Sequence, residues 1–452
     1  MSADSIRGAA AGRGEPYPRL DEFVSGHSSR VHPSLPAVSL FSGAGIGDYG
    51  YKLAGFRFGV FADLEPRRLK ICQANHRRSL VVAGDLRETW PEVVRAYRKK
   101  WGSAPPALLT GMPPCEAMSW ANSWTGKGSR TEVSSDPRNS LALVLARVAQ
   151  KLKPRVIVLE NVIGIFTTRV RDPTLDKTDF VAQLVLDRLP DYECWPAIMQ
   201  FADYGVPQRR QRALLTLIRR SDPAARHLLR SGDSPYPEET HDRLGRFGRR
   251  PWVHAREFLG PPRYPKLDSG SSQSALDPDD PLHNVPVYDA QRYELIRQIP
   301  PYSGKSAYET DICPSCFAPN QPRDSARCWK CARPLWTRPI VVGPKGGVRL
   351  VVGGETAYSR MSSDLPVATI TTASGHIGSD TKIHPWENRL LSIRECGDAQ
   401  TIPHSFQWPT PGPRGNAWLL RGAIGDAIPP WFTYLHGKRL HGLLLSSARL
   451  KS

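Results

Sequence analysis

Between Ala37 and about Arg220, short apolar runs alternate with stretches of helical periodicity, and this alternation constrains the fold more than any other feature of the chain. The runs are Ala37 to Phe41, Phe58 to Ala62, Leu80 to Ala83, Ala107 to Thr110, Val156 to Leu159 and Ala213 to Ile218. Helical patterns such as Pro66 to Asn75 and Ser140 to Leu152 lie between them. Strands separated by helices are what a parallel α/β sheet requires. After Ser221 the texture changes to Pro, Gly, Ser and Arg, and a second, more irregular domain is expected there.

The 452 residues are too many for one average domain, and with 40% hydrophobic and 23% charged residues the chain can bury a sizeable core. No apolar run approaches the eighteen or so residues needed to span a bilayer. The first thirty residues carry Arg7, Arg13 and Arg19 with no hydrophobic h-region, so secretion and membrane insertion are disfavoured and a cytoplasmic, nucleoid-associated protein is expected. Residues 1–36 read as a flexible basic arm. Sixty-one basic against 43 acidic side chains leave a net charge of +18, which points to an acidic polymer, with a solvated basic surface as the plain alternative. From Pro207 to Arg250 there are eleven arginines against five acids, so part of the excess is concentrated.

The first strand runs into Phe41-Ser42-Gly43-Ala44-Gly45-Ile46-Gly47-Asp48, a glycine-rich turn that opens a helix ending near Ala54. Such a turn offers free N–H groups at a helix N-terminus to a ligand, and the absence of a Gly-Lys-Ser/Thr ending argues against a phosphate-gripping loop. The next strand ends at Asp63, about twenty residues after Gly43, the offset at which a carboxylate can take a ribose hydroxyl. The third ends at Gly84-Asp85. Acids at successive strand ends favour an adenosine-containing cofactor over a structural turn. The fourth strand leads to Pro113-Pro114-Cys115-Glu116, and the fifth ends at Glu160-Asn161-Val162. Ligands of open α/β sheets bind outside the carboxyl ends of the strands, so Cys115 and Glu160 should face one crevice. A lone cysteine is most often a small buried hydrophobe, but a carboxylate directly after a β-branched run is not where a core wants a charge.

These residues resemble the cytosine-C5 DNA methyltransferases, which use S-adenosylmethionine. The Phe-Ser-Gly-Ala-Gly-Ile-Gly turn resembles the family's cofactor loop, Pro-Pro-Cys its nucleophile motif and Glu160-Asn161-Val162 its Glu-Asn-Val motif. Gln208-Arg209-Arg210-Gln211-Arg212, Asp136-Pro137-Arg138-Asn139-Ser140-Leu141 and Arg394-Glu395-Cys396 are similar to three further motifs, all in the family's order. The likeness covers about 37–220 and 384–432. Two positions depart from it: Glu116 and Asp426 stand where the family usually has Gln and Asn.

The resemblance implies a Rossmann-like class I methyltransferase sheet in 37–234, completed by 381–452, with a smaller irregular target-recognition region in 235–380. It implies methyl transfer to carbon 5 of a cytosine flipped out of duplex DNA. Cys115 would add to carbon 6, Glu160 would act at N3, and Arg210 and Arg212 would hold the base, with Pro114 and Asn161 in the same machinery. Phe41, Ser42, Gly43, Ala44, Gly45, Gly47, Asp63, Leu64, Asp85, Leu86, Leu141 and Asp426 are the positions carried over to the cofactor. For Phe41 and Leu141 plain core packing is equally open, and for the arginines a solvated strand face. The stretch Ser119 to Asn139, with Trp120, Trp124, Lys127 and Arg130, could close over DNA. A bacterial restriction-modification or antiviral-defence setting, with a cognate nuclease or other defence subunit as partner, follows from the same likeness. The rival activities are an RNA cytosine-C5 methyltransferase and a catalytically silent DNA-binding subunit.

Outside the family pattern stands Cys313-x2-Cys316-x11-Cys328-x2-Cys331. Two such knuckles can supply four thiolates in tetrahedral array, so a structural Zn2+ ribbon is expected, with redox pairs or chance spacing as the alternatives. Its place between Arg212 and Arg394 suggests that it braces the recognition region. Cys72 and Cys194 read as ordinary helix or loop cysteines.

Overall fold

A strand forms where β-branched and apolar residues can be covered on both faces, and the six apolar runs all become strands of one sheet. The computed structural model describes residues 20, 34–114, 118, 133–261, 263–351, 356–379, 381–409 and 416–449, with 447–449 in backbone only. Most of the expected N-terminal arm, and Ser119 to Glu132 of the expected closing loop, lie outside the described residues.

The sheet is built from β1 (Leu35–Leu40), β2 (Phe56–Asp63), β3 (Leu80–Ala83), β4 (Leu108–Gly111), β5 (Val156–Asn161), β6 (Tyr192–Gln200) and β7 (Gln211–Arg219), in the order β3-β2-β1-β4-β5-β7-β6. Strands β1 to β5 pair in parallel, and β7 runs antiparallel to both β5 and β6. The fold is therefore mixed α/β with a mostly parallel central sheet. Order reverses at β1, whose neighbours are β2 on one side and β4 on the other. That switch point leaves a crevice beyond the carboxyl ends of β1 and β4, where ligands of such sheets bind.

Strand β6 carried no clear signal because Pro196 interrupts it. It is tolerated there since β6 is the outer strand, paired among the described residues with β7 alone. The crossovers are α1 (Ile46–Leu53), α2 (Pro66–Asn75), α3 (Leu86–Trp101) and α4 (Ala142–Leu152). Helices α2 and α3 begin at acids that accept their own N2 N–H, Glu65 from Arg67 and Asp85 from Arg87, and Pro66 sits at the first turn of α2.

The chain returns to the sheet after the irregular region. Helix α5 (Ala417–Asp426) leads into α6 (Pro430–Arg449), which packs directly on α1. Gly50 allows this close approach: a Cβ there would lie 2.1 Å from Thr433 Oγ1 and 2.2 Å from the Pro430 carbonyl oxygen. Thr433 donates to Gly47 O at 2.6 Å, and the Tyr51 hydroxyl meets His436 Nδ1 at 2.9 Å. The terminal apolar segment thus packs against the helix that follows the glycine-rich turn. No helix among the described residues is long and apolar enough to cross a membrane.

Candidate active site

The glycine-rich turn is pinned from below. Ser42 N and Ser42 Oγ both donate to Ala62 O at 3.1 Å, and Gly43 N donates to Asp63 Oδ2 at 2.8 Å. The other Asp63 oxygen accepts from Glu65 N at 2.9 Å, so this carboxylate spans the ends of β1 and β2. Phe41, Gly43 and Gly45 all have left-handed backbone, with φ of 52°, 52° and 70°. Such a conformation at Phe41 costs free energy and survives only where the surroundings impose it. In front of the turn there is room: a Cβ on Gly43 would meet nothing within 4 Å. Leu64, beside Asp63, is 70% exposed, an apolar face left open at the same edge. These features fit an adenosine group.

Other positions expected at the cofactor serve the framework too. Asp85 caps α3 and is held by Arg87, which keeps its carboxyl below the usual range. Leu86 and Leu141 are buried in the hydrophobic core cluster, and Ala44 is buried against α2 and the C-terminal helices. Gly47 lies under Met112 and Ile428. Asp426, at the end of α5, pairs with Arg68 of α2 at 2.7 Å.

One residue was overlooked. Asp48, in the first turn of α1, is fully buried and accepts from Ser39 Oγ of β1 at 2.7 Å and from Thr110 Oγ1 of β4 at 2.8 Å. Burial pushes its carboxyl up to about 6, against the lowering effect of the two hydroxyls. An acid directly after a glycine turn, followed by a helix, was the available signal.

Several of the residues expected in the catalytic machinery lie at the carboxyl edge of β4 and β5. Asn161 closes β5 and donates from Nδ2 to Pro113 O at 3.0 Å, tying the strand to the Pro-Pro segment. Pro114 is exposed at that edge, while Cys115 and Glu116 lie outside the described residues. Glu160 is buried, and Arg212 Nε stands 3.0 Å from its Oε1. Sheet register explains the pair. Glu160 lies opposite Leu214 across the antiparallel β5–β7 ladder, and Arg212, two residues before Leu214, shares its face as a diagonal neighbour. Burial raises the Glu160 carboxyl above the usual carboxylate range, opposed by the nearby Arg212 and Arg210 guanidinia.

Arg210 corrects an expectation. It does not share a free face with Arg212: it is fully buried, and its Nη1 and Nη2 donate to Ile370 O at 2.9 Å and Gly425 O at 2.8 Å. Its guanidinium joins the β6–β7 connection to the segment at Ile370 and to α5. Gln208 acts beside it, accepting from Ile370 N at 2.8 Å and donating to Gln400 Oε1 at 3.1 Å. Sequence alternation identified two arginines on one side, but not that the chain from residue 367 onward returns to cover one of them.

The four cysteines of the ribbon come together, their sulfur atoms all within 4.8 Å of one another. The two knuckles repeat the same bonding: Phe317 N to Cys313 O and Ala332 N to Cys328 O, at 3.0 and 2.9 Å. N–H groups also point at sulfur, from Ser315 to Cys313 at 3.4 Å and from Lys330 to Cys328 at 3.3 Å. Four thiols at this spacing, with N–H donors toward the sulfurs, form a donor set that fits a tetrahedral metal ion.

A family model described as C-5 cytosine-specific DNA methylase matches residues 35–440. The chain belongs to that family and is a DNA cytosine-5-methyltransferase. It is 26% identical over 413 residues to the Type II methyltransferase M1.HgaI of Avibacterium volantium, covering 88% of this chain and 95% of that one. The Type II methyltransferase M1.HphI of Haemophilus parahaemolyticus is 25% identical over 399 residues, covering 88% and 84%. Among solved structures, a DNA modification methyltransferase encoded within an Escherichia coli prophage superposes with a TM-score of 0.51 at 18% identity, over 91% of this chain and all of that one. The Entamoeba histolytica methyltransferase EhMeth gives 0.51 at 15%, over 90% and 98%. These two likenesses bear on the fold alone.

Proposed function

We propose that this methyltransferase acts on a cytosine flipped out of a specific duplex DNA sequence, through a covalent bond to Cys115, as the modification enzyme of a Type II restriction-modification system. The observation that carries the reading is the Glu160–Arg212 pair beside the Pro113–Pro114 segment. Carbon 5 of cytosine is a poor nucleophile, and addition of a Cys115 thiolate to carbon 6 turns the ring into an enamine; once carbon 5 carries the methyl group, loss of its proton expels the thiolate and restores the ring. A carboxyl raised by burial can hold a proton toward N3 and drain the charge that builds during addition. Arg212 orients that carboxyl and offers its remaining donors to the base. Arg210 acts from behind, by fixing the backbone that carries Arg212. Asn161 sets the position of the nucleophile segment through Pro113. The target atom is inaccessible in stacked DNA, so the base must leave the helix.

S-adenosylmethionine supplies the methyl group when bound. Phe41, Ser42, Gly43, Ala44, Gly45 and Gly47 would shape its seat, and Leu64 would lie against its adenine. Asp63 has lone pairs left for a ribose hydroxyl after accepting two N–H groups. Zn2+ at Cys313, Cys316, Cys328 and Cys331 would brace the target-recognition region, taken as about 235–380. Marking self DNA against a partner nuclease is the setting suggested by the names of the Type II relatives.

Bisulfite sequencing of DNA treated with the purified protein tests activity and target together. Methylcytosine confined to one sequence is expected, and label found only in RNA would refute the reading. Wild-type protein should form a covalent adduct on 5-fluorocytosine duplex, and Cys115→Ala should abolish it. No adduct with the wild type would favour a silent DNA-binding subunit.

A further inference from the structure

The ribbon module between Ile312 and Leu350 carries seven basic residues and one acid, Asp324, and it holds aromatic side chains out of its own core. That core is small: Cys313, Ala318, Cys328 and Leu335. Phe317 is 77% exposed and Trp329 is 60% exposed. Both positions are fixed rather than loose. Phe317 follows Cys316 in the left-handed backbone conformation that closes the first knuckle, with φ 57°. Trp329 follows Cys328, and its indole N–H donates to Pro319 O at 3.0 Å, which sets the plane of the ring. Large aromatic surface held toward water is costly unless something covers it.

Charge identifies the cover. Lys330 and Arg333 are exposed around the second knuckle, as is Arg327, whose guanidinium also donates to Ala332 O at 3.0 Å and to Gly346 O at 3.2 Å. Protein–protein interfaces deplete lysine at their centres, whereas a basic rim around aromatic side chains suits a polyanion that also presents sugar and base surfaces. The chain that follows the module reaches the reacting edge. The chain beyond it bridges Ser359 to Ser306, then donates from Val367 N to Pro207 O at 3.1 Å and from Thr369 Oγ1 to Arg209 O at 2.5 Å. Pro207 and Arg209 immediately precede Arg210 and Arg212.

We infer that Phe317 and Trp329 form a preorganised contact of the cysteine ribbon with the substrate duplex, supported by Arg327, Lys330 and Arg333 on its phosphates. The inference rests on the proposed action on duplex DNA and adds a particular surface to it. The test compares full-length wild type with F317A/W329A on the duplex found methylated by the wild type. Truncating two central aromatics should weaken DNA binding by about ten-fold or more and raise KM for DNA by a similar factor. Turnover at saturating DNA, S-adenosylmethionine affinity and bound metal should not change. F317Y/W329F should recover affinity. In the wild type, duplex DNA should protect Lys330 from acetylation, a measurement that needs no variant. Unchanged DNA affinity in the double variant, or an unprotected Lys330, overturns the inference and leaves the patch to a protein partner. A wild type that methylates no DNA would instead refute the underlying function.

Discussion

Arg212 Nε lies 3.0 Å from Glu160 Oε1 across two antiparallel strands, and the carboxyl of that pair is held above its usual range by burial. The two residues are far apart in sequence but diagonal neighbours in the sheet. Replacing Glu160 by Gln keeps the shape and removes the ionisable group. Methyl incorporation is expected to fall by about 10²-fold or more, the usual scale of a lost acid–base group, with little change in melting temperature. Unchanged turnover in Glu160→Gln would remove Glu160 from the chemistry.

Arg210 should behave differently from Arg212. With its guanidinium buried on Ile370 O and Gly425 O, Arg210→Ala leaves two buried carbonyls unsatisfied and is expected to cost about 2–4 kcal/mol of stability. Arg212→Ala keeps the fold and loses activity. Denaturant midpoints beside methylation rates separate the two, and equal stabilities would mean that Arg210 is no brace.

The Asp48 carboxyl gives a pH signature. Its rise from the usual 3.8 to about 6 means that the folded chain holds this proton more tightly than the unfolded one, a difference of about 3 kcal/mol. The contribution is fully present below about pH 4 and is lost as pH rises through about 6. Asp48→Asn should therefore remove a downward slope in stability over that window, seen as the difference between variant and wild-type melting curves. Parallel curves would mean that the carboxylate is not held as described.

Gly50→Ala tests the junction between chain ends. Its methyl would fall 2.2 Å from the Pro430 carbonyl oxygen, so α6 must shift, at an expected cost of about 1–3 kcal/mol. Urea titration would reveal it, and a neutral effect would argue against the close α1–α6 packing.

Metal analysis should find about one zinc per chain, bound by thiolates. Cys316→Ser should lower that content and, by loosening the ribbon, weaken DNA binding more than S-adenosylmethionine binding. A fully folded, metal-free preparation would refute the zinc assignment.

The sequence alone determined the strands whose side chains are apolar on both faces, the turn at Phe41 to Gly47 and the order of the motifs, because local pattern dictates each of these. It also brought four cysteines into a legible spacing. Strand β6 escaped because Pro196 breaks the pattern and only an edge position tolerates it. Tertiary structure decided what each polar side chain faces. Alternation placed Arg210 and Arg212 together, yet Ile370 and Gly425 arrive from more than 150 residues further on and consume one of them. Asp63 and Asp85 were legible as strand-end acids, but their oxygens are engaged by N–H groups of the turn and of α3. Asp48 became important only when β1 and β4 closed around it. A side chain's chemistry is local, but its partners and its exposure to water are set by which distant segments pack against it.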